Sequence, residues 1–137
     1  MDKQRFYLSD YDWEFVVYYN STSSDLEDIM YQLVSLGCGK RPLLRAKKNI
    51  SSGKLNNGLT FSKHRVSCIV LGKSSDRVNF ANTFAHEVCH SAIHIASYYG
   101  FSTYGERLAY LVGDISAIML PYASKYMCHC CNKKKKL

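Results

Sequence analysis

No apolar run in these 137 residues is as long as a membrane span requires, so no transmembrane segment is expected. The opening Met1-Asp2-Lys3-Gln4-Arg5 lacks the apolar stretch and small-residue cleavage site of a secretory leader, and the expected compartment is the cytoplasm. Without a secretory context, the six cysteines do not read as a disulfide framework. Cys38, Cys68 and Cys89 stand among apolar neighbours and read as small buried hydrophobes. Internal repeats, a Gly-rich phosphate loop, a Ser-His-Asp arrangement and any motif that reads nucleic acid are absent too. Gly37-Cys38-Gly39-Lys40 is too short for a phosphate loop.

What is present is a chain 47% hydrophobic and 21% charged, the profile of one folded domain with one core. The formal charge of +7 owes much to a lysine run at 133–136; without it, 14 basic residues face 11 acidic ones, leaving +3. That run reads first as a solvated tail, with weak nucleic-acid contact as the alternative. Cys128-His129-Cys130-Cys131 just before it has soft-metal ligand types but no second half nearby, so it reads as part of a reduced tail. The expected organisation is a domain over residues 1–127 and a flexible tail over 128–137.

Residues 13–19 are aromatic and β-branched and predict a strand. Ser24 and Glu27 form a capping-box pattern, followed by Leu26, Ile29, Met30, Leu33 and Val34 at helical spacing, with Gly37 as the C-terminal stop. The basic, polar segment 40–56 predicts no more than a short strand near 43–46. Residues 58–62 and 66–71 predict two strands joined by a tight turn. A long helix follows over about 78–99, ended by Gly100, and another from about 103 to 120, where Pro121 intervenes. The expected class is α+β, with one small mixed sheet and three helices.

The chemistry concentrates in the first of those long helices. His86-Glu87-Val88-Cys89-His90 places two imidazoles one helical turn apart on one face. Two such rings can grip one zinc ion, and Glu87 between them can serve as general base toward a water. Phe84, Ala85, Val88, Cys89, Ala92 and Ile93 around them are uncharged, as a metal-bearing helix inside a core requires. The third ligand is expected from the next helix, where Glu106 lies 16 residues beyond His90 and the Gly100 turn folds the chain back. Two histidines and one glutamate leave a position for water, as in catalytic rather than closed zinc sites. One zinc per chain is the expectation, although imidazoles suit other divalent ions as well.

His86-Glu87-x-x-His90, a turn and then Gly105-Glu106-x-x-Ala109-Tyr110 resemble the gluzincin metallopeptidases, in particular the very small versions found in bacteriophages and mobile elements. The resemblance covers roughly residues 58–120. It implies a zincin-like domain, a peptide or protein substrate, and an edge strand, here residues 66–71, along which an extended peptide lies. The chain is too short for the large second domain that builds the cleft in thermolysin-like members.

Around this core, Asp114 is a candidate to orient a ligand histidine. His94 stands about 12 Å along the helix from His86, too far to share its ion, and reads as a supporting or core residue. In the metzincin pattern the third histidine would fall at Ala96, and it is missing. Tyr98, Tyr99, Tyr104 and Tyr110 are candidates to stabilise an oxyanion, though mostly packing residues. The leading expectation is a zinc-dependent hydrolase. The alternative is a non-catalytic protein that keeps zinc as a structural pin and binds a host or nucleic-acid partner.

Overall fold

The structure, a computed structural model, describes residues 2–53 and 56–127. The expected tail over 128–137, with its Cys-His-Cys-Cys cluster and lysine run, lies outside the described residues. Four strands form one mixed sheet: β1 (Asp2–Leu8), β2 (Trp13–Ser21), β3 (Gly58–Lys63) and β4 (Val66–Gly72), in the order β1-β2-β4-β3. The central pair β2–β4 is parallel and the two outer pairings are antiparallel. Helices α1 (Leu26–Ser35) and α2 (Lys40–Ser51) cover one face, and α3 (Arg77–Tyr99) and α4 (Glu106–Met127) cover the other. The class is α+β, with four α-helices among the described residues where three are expected.

The two-residue period of β2 explains the layering. Trp13, Phe15, Val17 and Tyr19 enter the core beneath α3 and α4, while Val16 and Tyr18 enter the one beneath α1 and α2. In β4, Ile69 and Leu71 face the first core, and Cys68 and Val70 the second. A strand buried on both faces reads as a continuous apolar run, which is how residues 13–19 stand out in the sequence. On the helix side, Leu111, Ile115, Met119 and Ala123 recur every fourth residue and are all buried. Each large side chain so buried contributes roughly 1.5–3 kcal/mol.

Several boundaries fall where local chemistry puts them. Gly37 takes φ 81°, with its N–H on the Val34 carbonyl and the Cys38 N–H on that of Leu33, the paired bonds of a Schellman stop. His64 and Arg65, at φ 53° and 64°, make the two-residue turn of the β3–β4 hairpin. Asp76 caps α3 by accepting from the Asn79 N–H at 2.8 Å, and Gly100 ends it at φ 76°. The capping box is built by Thr22 and Asp25, on the 3-10 turn Ser23–Asp25 that leads into α1, rather than by Ser24 and Glu27.

Three departures from the sequence-based expectation have physical causes. Residues 40–51 form α2, not a short strand. Pro42 sits in its first turn, where its missing N–H costs nothing, and Leu43, Ala46 and Ile50 supply a narrow apolar stripe. Residues 2–8 form β1, whose alternation is disguised because Gln4 occupies a core-facing position. Its amide donates to the Ile118 carbonyl at 3.0 Å and accepts from the Tyr19 hydroxyl at 2.6 Å. Helix α4 runs through Pro121 to Met127. Beyond the proline, Ala123 is buried and Tyr126 packs on Phe80 and donates to Asp2, contacts that outweigh the lost helical bond.

Candidate metal centre

Helix α3 lies against β3 and β4 on one flank and α4 on another, so its side opposite the sheet stays open. His86 and His90 occupy that open side and are exposed, as are Ala85 and Cys89. The expectation of a helix buried all round is therefore corrected: the imidazoles face solvent, and Cys89 is not a core residue. Of the three ligand-type residues His86, Glu87 and His90, Glu87 alone is turned inward, at 3% exposure.

The motif residues converge. His86 Nε2 and His90 Nε2 stand 3.0 Å apart, one ring donating to the other, with centroids at 4.6 Å. Two nitrogens bound to one tetrahedral ion at 2.0–2.1 Å would stand about 3.4 Å apart, so little movement would let them share one. Ligand atoms of His86, Glu87 and His90 all lie within 4.8 Å of one another. Glu87 Oε2 is buried and has no hydrogen-bond partner among the described residues. Desolvation raises the Glu87 pKa above the ordinary carboxylate value, with His86, His90 and the Thr60 hydroxyl pulling the other way. An orphaned carboxylate oxygen beside two paired imidazoles is a donor set that suits a divalent cation.

Edge strand β3 backs this group with alternate small and polar residues. Gly58 abuts the Glu87 side chain, and Thr60 Oγ1 donates to the Glu87 carbonyl oxygen at 3.2 Å. Ser62 Oγ meets His94 Nδ1 at 2.6 Å and Ser67 Oγ at 2.6 Å, and Ser67 accepts from the Trp13 indole at 2.9 Å. This chain fixes the His94 ring, whose centroid is 6.3 Å from that of His90. Burial, then His90, lowers the His94 pKa. The sequence reading missed Gly58, Thr60 and Ser62. Their signal is period two: every other residue of a short strand is small or hydroxylic, as if facing polar side chains.

Glu106 is not brought to the group. It is exposed and opens α4, while α3 continues nine residues past His90 before the chain turns. Those nine residues carry the turn about 13 Å along the axis from His90. Asp114 is exposed on α4 and also lies outside the group. Tyr104 and Tyr110 are exposed, and Tyr98 and Tyr99 pack edge-on against each other and near Trp13. The strand at 66–71, to which the resemblance gives the peptide-binding edge, is β4 and lies between β2 and β3; the edge position belongs to β3.

Comparison with models of known families, with curated proteins and with solved structures finds no match to this chain.

Proposed function

We propose that this protein is a zinc-dependent hydrolase of the metallopeptidase kind, with His86 and His90 holding the ion and Glu87 acting as general base. The observation that carries the reading is the buried, unpartnered Oε2 of Glu87 beside two imidazole nitrogens 3.0 Å apart. A zinc ion, when bound, polarises a carbonyl and makes a water acidic enough to lose a proton near neutral pH. The chain supplies the rest. Its raised pKa suits Glu87 to accept a proton and return it to a leaving amine. Gly58 and Thr60 hold the Glu87 segment against β3. The open side of α3 gives a peptide access to both histidines.

One observation favours a second reading, zinc as a structural pin. With Glu106 outside the group, Glu87 itself is within reach as a third ligand, and a ligating Glu87 is no longer a free base. A zinc titration of metal-stripped protein tests what both readings share. Wild type should take up one equivalent at the helix, and the double variant His86→Ala/His90→Ala should take up none there. Unchanged uptake by the double variant would remove the site. Hydrolysis of a broad panel of peptides and denatured proteins by the zinc-loaded wild type separates enzyme from pin.

A further inference from the structure

A second site lies on the opposite face of the sheet, and it rests on different residues. Helix α2 is amphipathic but buries only Ala46 fully. Its stripe stands off from the sheet and leaves a partly open cavity of about 510 Å³ between α2, β3 and β4. Ile50, Leu59, Phe61 and Val70 give it an apolar floor, three of them only partly buried. Arg45 and Lys73 line it as well, both exposed and neither in an ion pair among the described residues. No Asp or Glu is among its described lining residues. The volume falls in the range of small-molecule sites, which combine apolar walls with a few placed polar groups.

We infer that this cavity binds a small organic anion: a carboxylate, sulfonate or phosphate carried on an apolar body. The body would cover Leu59 and Phe61, completing the second core, and the charge would lie between Arg45 and Lys73. Two cations with no acid beside them disfavour neutral and cationic occupants. The apolar floor disfavours a bare inorganic anion, which would desolvate without gain. Gly58 and Thr60 border both this cavity and Glu87, but none of His86, Glu87 and His90 lines it, so occupancy does not require the metal centre.

The test uses 8-anilinonaphthalene-1-sulfonate, an aromatic sulfonate whose fluorescence rises in apolar sites, titrated into the full chain. Saturation at one equivalent is expected, with competition by decanoate. Arg45→Gln and Lys73→Gln together should weaken binding at least tenfold. Both side chains are exposed, so the variant should melt like wild type. Decanol should compete at least tenfold less well than decanoate, and inorganic phosphate should not compete. Adenosine monophosphate, if it displaced the probe as well as decanoate does, would assign the anion to a nucleotide-like source; decanoate alone would assign it to a fatty-acid-like one. The variant His86→Ala/His90→Ala should bind as wild type does. Binding unaffected by loss of both cations, or decanol equal to decanoate, would overturn the inference.

Discussion

Gly58 and Glu87 touch so closely that no side chain fits between them. A Cβ on Gly58 would stand 2.8 Å from Glu87 Cγ and 2.9 Å from Oε2, and 2.7 Å from Thr83 Cγ2. The one carboxylate of the metal motif that points inward is thus positioned by the absence of a side chain on the edge strand. Gly58→Ala must push Glu87 or separate β3 from α3. We expect a loss of about 1–3 kcal/mol of stability, the usual cost of overpacking. We also expect weaker zinc binding or slower hydrolysis, since Glu87 moves. Equal melting temperature and equal zinc affinity in the variant would show that Glu87 is not held by this contact.

Glu87→Gln separates the general base from the ligand. As a base, Glu87 can be replaced by the amide with zinc retained, while turnover falls by about 100-fold or more. As a ligand, the same change should lower zinc affinity and leave no activity to compare. Zinc stoichiometry and peptide hydrolysis, measured on one preparation, decide between them.

Glu106→Gln addresses the expected third ligand. Because Glu106 opens α4 and lies outside the group formed by His86, Glu87 and His90, we expect zinc affinity to change by less than about threefold, the scale of a helix-terminus charge effect. A loss of tenfold or more, measured by competition with a chromogenic chelator, would mean that the first turn of α4 reaches the ion when it binds.

The contrast between Glu87 and Glu106 marks what the sequence makes legible. Spacing within one helix is fixed by 3.6 residues per turn, so the convergence of His86, Glu87 and His90 can be read directly. Bringing in Glu106 requires the length of α3 beyond His90 and the placement of the turn, and neither follows from periodicity. The same limit appears in the strands. Residues 13–19 and 66–71 announce themselves as apolar runs because both their faces are buried. β1 hides behind Gln4, whose burial depends on Tyr19 and Ile118, residues far away in the chain. α2 hides behind its basic composition, since only a narrow stripe of it meets the sheet.

Thiol labelling tests the orientation of α3. Cys89 is exposed beside His90, whereas Cys68 is fully buried in β4, its pKa pushed up to about 12 by burial. Only a thiolate reacts readily. Peptide mapping after brief alkylation near pH 8 should find Cys89 modified and Cys68 intact. Cys89 protected as strongly as Cys68 would place that side of α3 in an interface.

Glu87 also predicts a pH dependence of stability in the metal-stripped protein. Its pKa in the fold is raised above the ordinary carboxylate value, chiefly by desolvation. The native state therefore holds its proton to higher pH than the unfolded chain does. As pH rises through the unfolded value, the unfolded chain ionises first and is favoured, so native stability declines until the folded pKa is passed. Above that point the penalty is constant. Gln at this position never ionises and escapes the penalty. Metal-stripped Glu87→Gln should thus melt above wild type at pH 7, by about 3 °C or more for each kcal/mol recovered. The gap should close near pH 3, where the wild-type carboxyl is protonated in both states. Thermal melts at the two pH values read this directly. A variant less stable than wild type at pH 7 would mean that the ionised carboxylate has a partner in the metal-free fold, and the orphaned oxygen would lose its force as an argument for a bound cation.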